Sequence, residues 1–237
     1  MRSITILLIA LLCSTCSPVY AADFDKAMDG WTASNGYHIA GTMRNEGGWC
    51  NVPGDPGGET YKGITKRDNP RWKGWAHVNI CKAQLGPQPK FGTKAYYAYA
   101  RNINRILKGN QNVEAYVDDF YRREYWQAIH GDEIKSQYLA FKICDFGINA
   151  GAGTSIKLLV KTINQQNGAE RDMMLASHIT PAMVQWLNIH TQDRDERHKF
   201  FRAYVNNIEA RYQAIANHNL ALKQFLGVWK KRAEDKE

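Results

Sequence analysis

The chain has 237 residues, with 31 Lys and Arg against 23 Asp and Glu, 44% apolar and 11% aromatic side chains. That balance excludes a disordered or collagen-like chain, and 19 Gly with 7 Pro are too few for low complexity. The length suits one large domain or two small ones, and the formal charge of +8 directs the chain toward anionic partners such as wall polymers, acidic polysaccharide or membrane, with a merely solubilising surface as the plainer reading.

The first element is a leader. Arg2 supplies a positive start, Ile4 to Cys13 form a short apolar run, and Val19-Tyr20-Ala21 has the small-residue spacing of a signal-peptidase site, so residues 1–21 are read as a signal peptide cleaved before Ala22. The run is about half the ~20 residues a bilayer span needs, although an uncleaved anchor is the rival reading. The mature chain keeps 30 basic against 23 acidic side chains, or +7, scattered rather than blocked and without a nucleic-acid motif. An exported protein meets an oxidising compartment. Cys13 and Cys16 leave with the signal, so Cys50 and Cys81, both in loop-rich sequence, are expected to form a disulfide, and Cys144 to be a buried thiol.

A first helix is predicted from Gly36 to Glu46, where Ile39, Met43 and Glu46 share one face before Gly47-Gly48 stops it. Residues 49–90 hold Pro53, Pro56, Pro70, Pro87 and Pro89 and read as loop, with a short hairpin around Glu59–Thr65. Helices are then predicted over about Lys94–Leu107, Val113–Ile129, Gln137–Ala150 (apolar almost all round, hence central), Thr154–Gln166, Pro181–His190 behind a Thr180 cap, Asp195–Ala216, and a last one ending near Arg232.

The chemistry concentrates in Glu46-Gly47-Gly48-Trp49-Cys50-Asn51-Val52-Pro53-Gly54-Asp55-Pro56-Gly57-Gly58-Glu59-Thr60-Tyr61-Lys62-Gly63-Ile64-Thr65. A carboxyl held against apolar groups resists ionisation, which suits Glu46 to general acid work near neutral pH. Asp55, nine residues on in a Pro/Gly loop, is expected to be exposed and ionised. Two carboxyls in contrasting environments are what glycoside hydrolysis requires, and Thr60 could add a hydroxyl beside the same water. The plainer reading is a solvated Glu and a turn-forming Asp.

The ordered string EGG–N–P–D–P–GG–T–GIT resembles the glycoside hydrolase family 108 muramidases. Tyr125-Trp126-Gln127-Ala128-Ile129, Asp145-Phe146-Gly147-Ile148-Asn149-Ala150-Gly151 and Phe225-Leu226-Gly227-Val228-Trp229 are similar to further segments of that family, which spreads the likeness over about 27–232. The resemblance implies a mainly α, lysozyme-like fold with a small loop or β-hairpin excursion after the catalytic Glu. It implies cleavage of the β-1,4 bond between N-acetylmuramic acid and N-acetylglucosamine, with Glu46 as acid. Asp55 matches the Asp of phage-type lysozymes, and Thr60, or alternatively Thr65, their Thr. Trp49, Tyr61, Asp145 and Asn149 are expected at the substrate cleft, the last two hydrogen-bonding across it. Residues 22–110 would be the catalytic segment and 111–237 a helical segment resembling a peptidoglycan-binding module packed against it. That segment departs from the family pattern at Val160 and across Asn167-Gly168-Ala169-Glu170 to Ile179-Thr180-Pro181, which puts its wall binding in doubt.

Trp72 and Trp75 either line a sugar cleft or anchor a loop. Asp145-Phe146-Gly147 spells a kinase motif without its companions, Gly151-Ala152-Gly153 is a weak phosphate signal, and His190 with His198 lacks a third metal ligand. His38, on the predicted first helix, is expected to pack or face solvent. The expectation is therefore an exported, periplasmic or secreted, monomeric muramidase. It would use no cofactor or metal, act on peptidoglycan glycan strands, bind no nucleic acid and have no stable membrane insertion after signal cleavage. A lytic transglycosylase and a non-catalytic wall-binding accessory of a secretion or lysis system are the alternatives.

Overall fold

The computed structural model describes residues 21–33, 38–44, 46–166 and 178–233. The signal-peptide reading of 1–21 therefore lies outside it except for Ala21, as does the Asn167–Glu170 departure. Ala22 is already packed, and its N–H donates to the Ile134 carbonyl at 2.8 Å.

Asp23 caps the first helix, α1 (Phe24–Asp29), by accepting from the N–H groups of Asp25 and Lys26, and the helix buries Phe24, Ala27 and Met28. The described part of the helix predicted from Gly36 to Glu46, residues 38–44 and Glu46, is not α-helical. Strand β1 (Gly30–Thr32) pairs antiparallel with β2 (His38–Ala40), Trp31 opposite Ile39, and only a single 3-10 turn follows at Thr42–Arg44. His38 is thus on a strand. Its exposure beside a buried Ile39 is the two-residue alternation of a sheet. Gly41 explains the compact turn: a Cβ there would stand 2.1 Å from the Met28 carbonyl oxygen, so α1 and the turn meet backbone to backbone.

The expected hairpin forms as β3 (Thr60–Tyr61) and β4 (Ile64–Thr65), Thr60 opposite Thr65. Its two turn residues, Lys62 (φ 44) and Gly63 (φ 74), both adopt left-handed backbone, as a tight two-residue hairpin requires. The supposed loop region nevertheless contains a 12-residue helix, α2 (Gly74–Leu85), burying Trp75, Val78 and Cys81.

Helices α3 (Lys94–Lys108, capped by Thr93) and α4 (Gln111–Tyr121, capped by Asn110) follow. The predicted continuation of α4 to Ile129 is broken into a π turn, Arg122–Trp126, and a 3-10 turn, Gln127–Ile129. Next come α5 (Gln137–Ala150), α6 (Ala152–Gln166), α7 (Pro181–His190), α8 (Arg194–His218), a 3-10 segment Leu220–Phe225, and α9 (Leu226–Ala233). Central α5 buries an unbroken run from Tyr138 to Gly147. One buried core runs from Ala22 to Ala233, through the boundary expected at 110–111. The fold is mainly helical and lysozyme-like, with the hairpin as its excursion. No helix among the described residues is long and apolar enough to cross a membrane.

The expected Cys50–Cys81 disulfide is corrected: both are free thiols, whereas Cys144 is the buried thiol expected. Cys81 is not in a loop but on the inner face of α2, where its neighbours include Tyr61 and Tyr99, whereas Cys50 bridges to Thr60 near Asp55. Burial raises the ionisation range of all three thiols.

A buried polar knot braces the hairpin. Glu59 accepts from the Trp49 indole N–H at 2.9 Å and from the ammonium groups of Lys66 and Lys82, each at 2.8 Å. Burial pushes its carboxyl up, but these donors overcome that and hold it below the usual range. A carboxyl lowered in the fold stabilises above its unfolded value, and that contribution disappears as pH falls through the folded one. Glu59→Gln strands two partly exposed ammonium groups and should cost about 2 kcal/mol at neutral pH. The deficit relative to wild type should shrink on acidification, as read by denaturant melts at pH 7 and pH 3.

Candidate active site

Glu46 occupies a bend between two anchored stretches. Upstream, buried Thr42 donates its hydroxyl to Asp145 Oδ1 at 3.1 Å, tying the 3-10 turn to α5. Downstream, Asn104 of α3 clasps the Trp49 backbone, accepting from its N–H at 2.5 Å and donating to its carbonyl at 3.4 Å. The carboxyl between them is 15% exposed. Its Oε1 faces Arg232 Nη2 at 3.4 Å, and the same guanidinium grips Asp145 with two bonds, Nη2 to Oδ1 at 2.8 Å and Nε to Oδ2 at 3.2 Å. Oε2 lies against the hairpin turn. A Cβ on Gly63 would come within 2.6 Å of it and within 2.7 Å of the Tyr121 hydroxyl, which donates to the Lys62 carbonyl at 2.5 Å.

Burial raises the Glu46 ionisation range above that of an ordinary carboxyl. The Arg232 charge and hydrogen bond pull it part of the way back, and Asp145 pushes it up again. The result is a carboxyl sheltered against ionisation, with a cation beside it. Tyr121 and Tyr125, stacked at 5.6 Å, complete the surround, and burial together with Glu46 keeps both phenols protonated.

The other predicted residues are placed differently. Asp55 is exposed in its loop and accepts the Gly57 N–H at 2.8 Å, a local turn bond. Thr60 donates to the Gly58 carbonyl at 3.1 Å and Thr65 to Asp68 Oδ2 at 2.7 Å, the two facing each other across the hairpin. Trp49 and Tyr61 are corrected as cleft walls, because both are buried. Trp49 packs against Tyr96 and Tyr99, and Tyr61 stacks on Trp72 and donates to Glu114. Trp72 and Trp75 anchor their loop through indole bonds to the Tyr116 and Asn69 carbonyls. Asp145 and Asn149 do not bond across a groove. Asp145 belongs to the Arg232 pair, and Asn149 donates to the Tyr212 hydroxyl at 2.6 Å.

Thr42, Asn104, Tyr121, Tyr125, Gly63 and Arg232 are the site residues that the sequence did not single out for a role. Gly63 stood inside the quoted motif, but nothing there indicated that its missing side chain makes room for the acid. No cluster of His, Cys, Asp or Glu suited to a metal occurs among the described residues.

Residues 39–151 match the family model Glycosyl hydrolase 108, a stretch that includes Glu46, the hairpin, Tyr121 and Asp145. Over that stretch the chain is similar to the glycosyl hydrolase 108 family, and the match runs through the expected division at 110–111. Arg232 lies outside it. The solved structure of Brucella abortus SagA is similar at a TM-score of 0.44 and 18% identity, covering 81% of this chain and 88% of that one. Comparison with curated proteins gives no match.

Proposed function

We propose that this protein is a glycoside hydrolase of the matched family, an exported N-acetylmuramidase that cleaves the β-1,4 bond between N-acetylmuramic acid and N-acetylglucosamine in peptidoglycan. The observation that carries the reading is Glu46: the acid position of the motif holds a carboxyl that is mostly buried, raised in ionisation range by that burial, and backed by a guanidinium. Protonated Glu46 gives its proton to the bridging glycosidic oxygen. The bond from that oxygen to the muramic acid C1 breaks, and C1 passes through an oxocarbenium-like state. Water adds to C1 and loses a proton to the second carboxylate, the role assigned to Asp55 with Thr60, so the strand ends in a new reducing sugar.

Asp55 lies on an exposed loop, and in this reading bound substrate brings it to the reacting carbon. Asp55→Asn should lower the release of soluble fragments from purified peptidoglycan by about tenfold or more, with the melting temperature unchanged because its hydrogen bond is local. Unaltered release would remove Asp55 from the mechanism. A lytic transglycosylase is the second reading, and one observation favours it: the Asp55 carboxylate is engaged in a local turn bond to the Gly57 N–H, and that chemistry needs a single acid. Export to the periplasm or medium, monomeric action and the absence of stable membrane insertion belong to the same proposal, supported by the leader and the +7 mature charge.

A further inference from the structure

Arg232 comes from the last turn of α9, 186 positions from Glu46 in sequence and beyond the family-matched stretch. It is held from three directions. Asp145 takes two of its donors at 2.8 and 3.2 Å. Thr42 fixes Asp145 in turn at 3.1 Å. The buried ammonium of Lys142 donates to the Arg232 carbonyl at 3.0 Å, pinning the end of α9 to α5. The bond to Glu46 is the longest of the set, at 3.4 Å. The guanidinium is thus placed by α5 independently of the state of Glu46, and Nη2 has room to shorten onto Oε1 when that carboxyl becomes an anion.

We infer that Arg232 is a positioning residue for the proton donor: it holds Oε1 so that Oε2 stays at the hairpin turn beside Tyr121, and it stabilises the carboxylate left once the proton has gone. The inference rests on the assignment of Glu46 as the acid. It also makes α9 part of the site, since among the described residues the guanidinium facing this carboxyl is that of Arg232, outside 39–151. Among the described residues, the titratable groups facing Glu46 are Arg232 from α9, Asp145 from α5, Tyr121 from α4 and Tyr125 from the π turn. The hairpin meets it at Gly63, and the Lys62 carbonyl holds the Tyr121 hydroxyl. Both phenols stay neutral across the working range, so Arg232 and Asp145 set the local field.

The direct test is carbon-13 NMR titration of the Glu46 carboxyl in the full chain, its signal assigned by its loss in Glu46→Gln. The series is wild type, Arg232→Lys, Arg232→Gln, Asp145→Asn and the double variant Arg232→Gln/Asp145→Asn, which leaves no unpaired buried charge if the single Gln variant fails to fold. An opposite charge at this range typically lowers a carboxyl by about one to three pH units. Arg232→Gln should therefore raise the Glu46 midpoint by about one unit or more. The double variant should raise it less, because the Asp145 charge goes too, and Arg232→Lys, which keeps the charge but loses the two-bonded grip on Asp145, should fall between wild type and Arg232→Gln. The alkaline limb of kcat/KM on peptidoglycan should move with the midpoint, which a purely structural role would not produce. A folded Arg232→Gln whose Glu46 titrates as in wild type overturns the inference, and so does a double variant whose Glu46 titrates as in the single Asp145→Asn variant. Continued hydrolysis by Glu46→Gln is a separate result, and it overturns the assignment of the acid itself.

Discussion

Glu46→Gln should lower peptidoglycan hydrolysis by about a thousandfold while leaving the protein folded. General acid catalysis contributes roughly 10²- to 10⁴-fold, and a glycosidic oxygen is a poor leaving group without its proton. The amide fills the same volume but has no acidic proton to give. Stability should be equal to wild type or slightly greater at pH 8. The sign follows from burial. The Glu46 range is raised in the fold, so the native state binds more protons than the unfolded chain, and wild type loses stability as pH rises through that raised value. Gln escapes that penalty, and Arg232 keeps both bonds to Asp145. The wild-type kcat/KM should fall on the alkaline side as Glu46 ionises. Fragment release across pH 4–9, with thermal melts of both proteins, measures each part.

Gly63→Ala should be the second largest loss. The new methyl carbon would stand 2.6 Å from Glu46 Oε2 and 2.7 Å from the Tyr121 hydroxyl, far inside contact distance. The backbone at φ 74 is itself unfavourable for a residue with a Cβ, at about 1 kcal/mol. Either the hairpin shifts or the carboxyl does, and a displacement of about 1 Å at a catalytic group can cost roughly 100-fold in rate. The expected result is a fall in kcat of that order with a melting temperature lowered by only a few degrees. An alanine variant with wild-type kcat would mean that Oε2 does not work in the position the hairpin gives it.

Helix α5 was legible to the residue, Gln137–Ala150, because an apolar surface all round has one solution in a single-core fold and Gly151 ends it. The start of α7 was equally plain in Thr180-Pro181. The strand His38–Ala40 was not, because Ile39 and Met43 are spaced as a helix would space them, and only the close approach of Gly41 to α1 decides against one. Helix α2 was hidden by the prolines on either side of it, although Trp75, Val78 and Cys81 have helical spacing. Reading Cys81 as a loop residue then led directly to the expected disulfide.

The site shows the same division. Glu46 could be found from its motif, and its shelter was expected, but from the wrong source. The carboxyl does not end a helix. It sits in a bend and is enclosed by α5, α9, α4 and the hairpin. Nothing near position 46 in the sequence carries the Arg232 contact, because that pairing exists only once the last helix docks on α5. The roles expected of Trp49 and Tyr61 failed for a related reason. Aromatic side chains beside a motif suggest a sugar platform, yet here they are the packing that holds the motif in place.

Mass analysis of the soluble products from purified peptidoglycan, wild type beside Glu46→Gln, tests the central claim most directly. The account predicts fragments ending in a reducing N-acetylmuramic acid from wild type and essentially none from the variant. Products ending in a 1,6-anhydro sugar, or equal release by Glu46→Gln, would contradict it.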